Sequence, residues 1–233
     1  MAPVAATSLL AAFKHDQPRP LQADELIRLV RSKPSLAAEV DGETGNTALH
    51  YACCNGAPLP LVEALLAADP DGASKVDRDG NLPIMGAVAN GCGAAVVRVL
   101  LKRHPDGIRA RLGKHTLLHQ AACNGQSDET VSALIDAWPG AAAERDDEGN
   151  TPLHFAAACQ ASPSVVRALL AACPESATWR GTMQRLPLSL CLLCESPAGA
   201  VEAVRDAYPR AQREFEIIGD YQNHGHGLQS KFP

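Results

Sequence analysis

The chain has 233 residues, 46% of them hydrophobic and 20% charged, with a net charge of −5. That length holds one domain or two small ones around a real core, and the acidic balance excludes a global basic field that would gather phosphates, so no nucleic-acid partner is expected. The longest nearly uncharged apolar stretch, Leu186 to Cys194, is about half of the roughly 20 residues that cross a bilayer, and no membrane insertion is expected.

Met1 to Phe13 is Ala-rich and mildly apolar, with no basic segment ahead of the apolar part. It lacks the build of a secretory signal and reads as a short cap helix or a frayed end, so residues 1–20 are expected to be an N-terminal cap or flexible segment. Eight cysteines in a chain of this length fall below the density of a disulfide scaffold, and no Asn-x-Ser/Thr acceptor occurs. A reduced intracellular compartment, cytoplasmic or nuclear, is the expected location.

From Leu21 onward the sequence repeats. A Pro follows an apolar helical run at Pro34, Pro70, Pro105, Pro139, Pro174 and Pro209, in steps of 36, 35, 34, 35 and 35. Thr47, Leu82, Thr116, Thr151 and Leu186 form a second column that keeps phase with the first. Within each unit a polar turn such as Asp77-Arg78-Asp79-Gly80-Asn81 leads into a short Ala-rich first helix. That helix is expected to stop at Asn55-Gly56, Asn90-Gly91 and Asn124-Gly125, where Gly accepts the left-handed conformation of a helix end. A second helix should follow Ser127, Ser162-Pro163 and Ser196-Pro197, with Ser as the cap and Pro in the first turn. Its apolar stripe is Val62, Leu65, Leu66; Val97, Leu100, Leu101; Val131, Leu134, Ile135; and Val166, Leu169, Leu170, at spacings of three and four. Such units bury too little surface alone, and stacking supplies one continuous core.

Asn46-Thr47-Ala48-Leu49-His50-Tyr51-Ala52, His115-Thr116-Leu117-Leu118-His119-Gln120-Ala121 and Asn150-Thr151-Pro152-Leu153-His154-Phe155-Ala156 resemble the Thr-Pro-Leu-His-x-Ala signature of ankyrin repeats. Asn81 to Met85 and Arg185 to Ser189 hold the same column in degraded form. The resemblance covers Leu21 to Arg213 and implies an all-α ankyrin-repeat solenoid of stacked helix-turn-helix units joined by hairpin-like loops. Its parts would be a half-unit from Leu21 to Pro34, four fuller repeats and a C-terminal cap unit from Arg185 to Arg213, making residues 21–213 the repeat domain. The period exceeds the family's usual 33 residues, which the Pro-containing turn after the second helix accounts for. The resemblance also implies that signature Thr and His are linked by hydrogen bonds; repeats two and five have lost both, with Leu82 beside Met85 and Leu186 beside Ser189. Beyond Arg213 the pattern ends, and residues 214–233, with His224-Gly225-His226-Gly227, read as a disordered tail.

Catalytic and metal readings are weak. His50, His119 and His154 share one repeat position, so a structural role explains all three. Cys191-x-x-Cys194 has a ligand spacing but wholly apolar flanks and no second pair, and is expected to be a buried helical pair. Cys54 and Cys123 share one column, Cys159 and Cys194 the next; small-residue packing is the expected role, with redox sensing the alternative. Gly107 to His115 mimics a phosphate loop, but it has the wrong spacing, and His115 stands where Ser or Thr belongs. No enzyme, cofactor, metal or small-molecule substrate is expected.

Binding should then use the variable positions. The residue after the signature His reads Tyr51, Gly86, Gln120, Phe155, Leu190; in ankyrin stacks this position lies on the concave side, so Tyr51, Gln120, Phe155 and Leu190 are candidate contacts, with Tyr51 and Phe155 as aromatic anchors. Trp138 and Tyr208, just before the repeated Pro, are expected to pack, whereas Trp179 beside Arg180 is expected to be exposed. The connections carry mixed charge, net acidic in the first, second and fourth and net basic in the third and fifth, which adds Arg78, Asp79, Lys114, Asp147, Glu148, Trp179 and Arg180 as candidates. The expected function is protein binding by an adaptor, scaffold or inhibitor, monomeric when free, with an unidentified protein partner. The alternatives are a thiol-based redox sensor and a targeting subunit of an enzyme complex.

Overall fold

A computed structural model describes residues 9–13 and 23–209. The expected tail, residues 214–233, lies outside the described residues, as do residues 1–8 and 14–22. The chain divides into two compact units, Met1–Leu112 and Gly113–Pro233.

In the first unit, α1 (Leu9–Phe13) and α2 (Ala23–Ser32) precede two helical pairs: α3 (Ala48–Cys54) with α4 (Leu59–Ala68), and α5 (Pro83–Ala89) with α6 (Ala94–Arg103). The inner helices α1, α3 and α5 stack in that order, and the outer helices α2, α4 and α6 stack alongside. The second unit repeats the plan. Here α7 (Leu117–Cys123), α9 (Pro152–Ala158) and α11 (Pro187–Leu193) form the inner row, and α8 (Asp128–Ala137), α10 (Pro163–Ala172) and α12 (Ala198–Ala207) form the outer row.

The inner helices α3, α5, α7, α9 and α11 are seven residues long, and all but α11 carry Ala, whose small side chain lets neighbouring helices within a unit approach closely. Gly86 shows the limit: a Cβ there would lie 2.8 Å from Sγ of Cys54 on the preceding inner helix. The outer helices supply the bulk of the core. Val62, Leu65 and Leu66, Val97 and Leu100, Val131 and Leu134, and Val166 and Leu169 are all 2% exposed or less; Ile135 alone of the expected stripe is half-buried. Each fully buried Leu or Val contributes about 1.5–3 kcal/mol.

The Pro after each outer helix begins or precedes a short 3-10 turn, at Pro34–Ala38, Gly72–Ser74, Pro105–Arg109, Pro139–Ala143 and Pro174–Thr178. This turn is the added length in the repeat. The third residue after each Pro, namely Ala37, Ala73, Ile108, Ala142 and Ala177, is buried, so the turn adds a small apolar contact of its own.

The inner helices of the first three full repeats end as expected, with Gly56, Gly91 and Gly125 at φ +67°, +70° and +63°. The equivalent positions in the last two repeats hold Gln160 and Glu195 at φ +58° and +55°, a conformation that costs a side-chain-bearing residue about 1 kcal/mol. Ser127 and Ser162 cap α8 and α10 through the backbone N–H groups of Thr130 and Val165. Ser196 departs from the expectation: Pro197 holds the cap position of α12, and the buried Ser196 hydroxyl donates to the carbonyl of Ala157 at 2.7 Å. A hydroxyl serves there to join α12's entry to the preceding repeat, and Pro at the cap needs no donor.

Candidate functional site

The signature residues fix the turn of each connection against the helix that follows it. In each of three repeats the backbone N–H of Thr donates to His Nδ1: Thr47 to His50 at 3.1 Å, Thr116 to His119 at 3.3 Å, and Thr151 to His154 at 3.1 Å. An Nδ1 that accepts carries no proton, so the Thr hydroxyl, 2.8–2.9 Å away, also donates to it, and Nε2 is left as the protonated nitrogen. Each Nε2–H reaches the carbonyl of the next connection: His50 to Asn81, His119 to Asn150 and His154 to Trp179, all at 3.1 Å. Neutral imidazole is thus the stitch between successive units, and these histidines are structural. Burial holds the His154 pKa down at about 4 and lowers that of His50.

Where His is missing the pattern degrades in an interpretable way. Met85 Sδ takes the Leu82 N–H at 3.2 Å, preserving the local half of the pair. A thioether has no N–H to send onward.

Two of the connections, the second and the fourth, are each built on one carboxylate. Asp77 Oδ1 accepts the N–H groups of Asp79 and Asn81, and its Oδ2 accepts Asn81 Nδ2; Asp146 does the same for Glu148 and Asn150. Burial alone would raise both carboxyls, and these hydrogen bonds hold them below the usual range against it.

Neighbouring connections are tied together within each unit. In the first unit the Arg78 N–H donates to Thr44 O at 3.0 Å, and its guanidinium donates to Gly42 O. In the second, Arg145 donates to Arg180 O at 2.8 Å and lies 5.2 Å over the Trp179 ring. The buried Asn150 side chain donates to Thr182 Oγ1 and accepts the Thr182 N–H, while Thr182 Oγ1 donates to Glu148. Gly181 is required at this junction, because a Cβ would lie 2.2 Å from Asn150 Oδ1.

The candidate contacts separate on this scaffold. Phe155 and Leu190 are 3% exposed, so the expectation of an exposed column is corrected at both positions. The Phe155 ring meets His115 and His119 edge-on, at 4.8 and 5.1 Å between centroids, and this imidazole cover buries it. Tyr51 is half-buried: Phe13 stacks on its ring at 6.3 Å, and its hydroxyl donates to Asp41 and lies 3.2 Å from Thr44 Oγ1. Gln120 is the remaining half-exposed side chain of the four. Trp179, expected to be exposed, is half-buried beneath Arg145, and Arg180 is half-buried with its guanidinium on Gln184 O. Arg78, Asp79, Lys114, Asp147 and Glu148 are exposed as expected, with Lys114 and Asp147 3.0 Å apart. Trp138 and Tyr208 are half-buried.

The large apolar side chains exposed among the described residues are Val40, Val76, Met183 and Leu193, at 56%, 55%, 54% and 38%. Three of the four stand on connections. Val40 and Val76 each fall six residues after a repeated Pro, a signal the sequence offers but periodicity analysis of helices passes over. Met183 occupies a tip where Met183 and Gln184 both have positive φ, +56° and +60°.

The cysteine reading is also corrected in part. Cys123 and Cys159 form a disulfide. Helical columns pair like with like, whereas the structure places the last residue of α7 beside the residue that ends α9, one position out of column. The other six are free thiols, including Cys191 and Cys194. Among the described residues no group of three or more His, Cys, Asp or Glu side chains is placed to hold a metal, and no helix is long and apolar enough to cross a membrane.

A model of the ankyrin repeats, spanning three copies, matches residues 22–111 and 95–178, more than half of the chain. The chain belongs to the ankyrin-repeat family. As an ankyrin-repeat chain it carries a protein-interaction module, an all-α solenoid of stacked helical pairs. Comparison of these ankyrin repeats with the curated proteins returns no match. Solved structures share the fold. The human ASB11 ankyrin repeat domain matches with a TM-score of 0.65 at 21% identity, over 89% of this chain and 84% of that one. A structure of the Bd0816 predatory endopeptidase from Bdellovibrio bacteriovorus in complex with immunity protein Bd3460 matches with a TM-score of 0.63 at 20% identity, over 85% and 96%. The ankyrin repeat domain of Bcl-3, a member of the IkappaB protein family, matches with a TM-score of 0.57 at 24% identity, over 79% and 77%.

Proposed function

We propose that this chain is a non-catalytic adaptor, scaffold or inhibitor that binds a protein partner through the tips of its inter-repeat connections. The observation that carries this reading is the placement of Val40, Val76 and Met183. Each is more than half exposed, and among the described residues the one other large apolar side chain that stands exposed is Leu193. Exposed apolar side chains ringed by charge are the composition of a binding patch. In the first unit Arg78 and Asp79 supply the rim; in the second Lys114, Asp147, Glu148 and Arg180 do, with Gln120 on the neighbouring inner helix. Mixed sign on these rims favours one protein partner over a uniform polyanion.

The structures of similar fold include one that pairs a protein with an enzyme and one from the IkappaB family, and an inhibitor role belongs among the proposals for this chain. Capture from native lysate with the wild type and with Val76→Asp/Met183→Asp tests the reading. Both positions are surface positions, so the variant should keep its stability within about 0.5 kcal/mol. A protein retained by the wild type and lost by the variant supports it; equal recovery moves binding elsewhere.

A further inference from the structure

The disulfide lies on a diagonal that recurs along the chain, from the last residue of one inner helix to the residue that ends the next. In the first unit that diagonal pairs Cys54 with Asn90, and farther along the second it pairs Ala158 with Cys194. Only between α7 and α9 are both positions cysteine, and there the Cα atoms stand 5.1 Å apart, inside the range a disulfide spans without moving the backbone. Cys159 takes the place that Asn55, Asn90 and Asn124 hold in the three preceding repeats and Cys194 in the last, so a helix end of this kind does not itself require a thiol. Both residues are half-buried and within reach of a small reagent.

We propose that Cys123 and Cys159 form a reversible redox modification site, a staple between successive inner helices of the second unit that exchanges with low-molecular-weight thiols and disulfides. In the forward direction the thiolate of one cysteine attacks a small-molecule disulfide RS–SR, forming a mixed disulfide and releasing RS⁻. The second thiolate then displaces the other RS⁻. Two protein thiols become one disulfide, two electrons pass to the reagent, and the two protons released leave it as two RSH. Reduction by excess RSH reverses each step.

Burial works against thiolate formation at five of the six remaining cysteines. Burial raises the thiols of Cys53, Cys54 and Cys194 and pushes those of Cys92 and Cys191 to about 11. A thiol at that value is about 10⁻⁴ ionised at neutral pH, and the thiolate is the attacking species. Mechanically the bond completes a clamp. The N-terminal ends of α7 and α9 are already held by His119 Nε2 on Asn150 O, and the disulfide fixes their C-terminal ends. Gln120 and Phe155 ride on these two helices, so the bond also sets the spacing of the inner face; that last consequence rests on the proposed binding function, whereas the experiment below does not.

The purified full chain is equilibrated across a series of glutathione thiol-to-disulfide ratios, trapped by alkylation and mapped by mass spectrometry, with native hydrogen exchange measured at each end of the series. The expected result is one intramolecular disulfide, Cys123 to Cys159, with its midpoint inside the series and full reversal by a dithiol. Oxidation should slow exchange in α7 and α9 by up to about 10³-fold, the effect of closing a loop of 36 residues. Cys54→Ser should change neither readout, and Cys123→Ser should abolish both; should that variant fail to fold, reduced wild type supplies the same comparison. Cysteines 123 and 159 that stay alkylatable throughout, a bond that survives the reducing end of the series, or exchange that ignores the bond would each overturn the proposal.

Discussion

His154 shows how one side chain couples the repeat to pH. Its Nδ1 must stay unprotonated to accept from Thr151, and its Nε2–H must reach Trp179 O. Burial lowers its folded pKa to about 4 from 6.5, so the unfolded chain takes up the proton first as pH falls. The stabilisation is therefore complete above pH 6.5 and is lost as pH drops from 6.5 toward 4, amounting to about 3 kcal/mol at pH 4. His50, lowered in the same direction, adds to that slope. Urea unfolding at pH 7.5 and pH 4.5 should show the loss, and His154→Gln should flatten it; a wild type equally stable at both values would contradict the assignment. Phe155 and Gln120, adjacent in role in the sequence pattern, should behave oppositely. Phe155→Ala should cost about 3–5 kcal/mol as a core deletion, and Gln120→Ala should stay within about 0.5 kcal/mol, both read from denaturant midpoints. The pattern could not distinguish them, because Phe155 is buried by His115 and His119, which belong to the preceding repeat and whose approach no local spacing encodes.

At the scale of elements the helices were legible because their determinants are local. Gly56, Gly91 and Gly125 end inner helices, Ser127 and Ser162 start outer ones, and the three-four spacing of Val and Leu marks the buried stripe. Ser196 was misread for the complementary reason: its bond goes to Ala157, 39 residues away, and a cap motif describes only the next turn. The Cys123–Cys159 bond was legible only in part: the adjacent columns holding the two cysteines show in the sequence, but the pairing crosses from one column to the next, and helical periodicity does not encode that. The two inner-helix ends without glycine give a direct check. Glu195 at φ +55° is exposed, and Glu195→Gly should raise stability by up to about 1 kcal/mol; unchanged or lower stability would show that the backbone there is not held in the left-handed region by the fold.

On the scale of the whole molecule, nearest-neighbour interactions recur through each unit: inner helix on inner helix, outer on outer, and connection on connection. The period and its Pro column made this architecture readable from the chain alone, and membership of the ankyrin-repeat family agrees with it. The binding surface was less readable. Folding has absorbed Tyr51, Phe155, Leu190 and much of Trp179, which leaves the exposed tips with Val40, Val76 and Met183 as the proposed contacts. The most direct test is the affinity of the protein recovered by capture, measured by calorimetry against wild type, Val76→Asp/Met183→Asp and Gln120→Ala, with thermal unfolding recorded for each. The account predicts at least about a tenfold loss of affinity for the connection variant at an unchanged unfolding temperature, since about 1.4 kcal/mol of binding energy is tenfold. Undiminished affinity in that folded variant would contradict it.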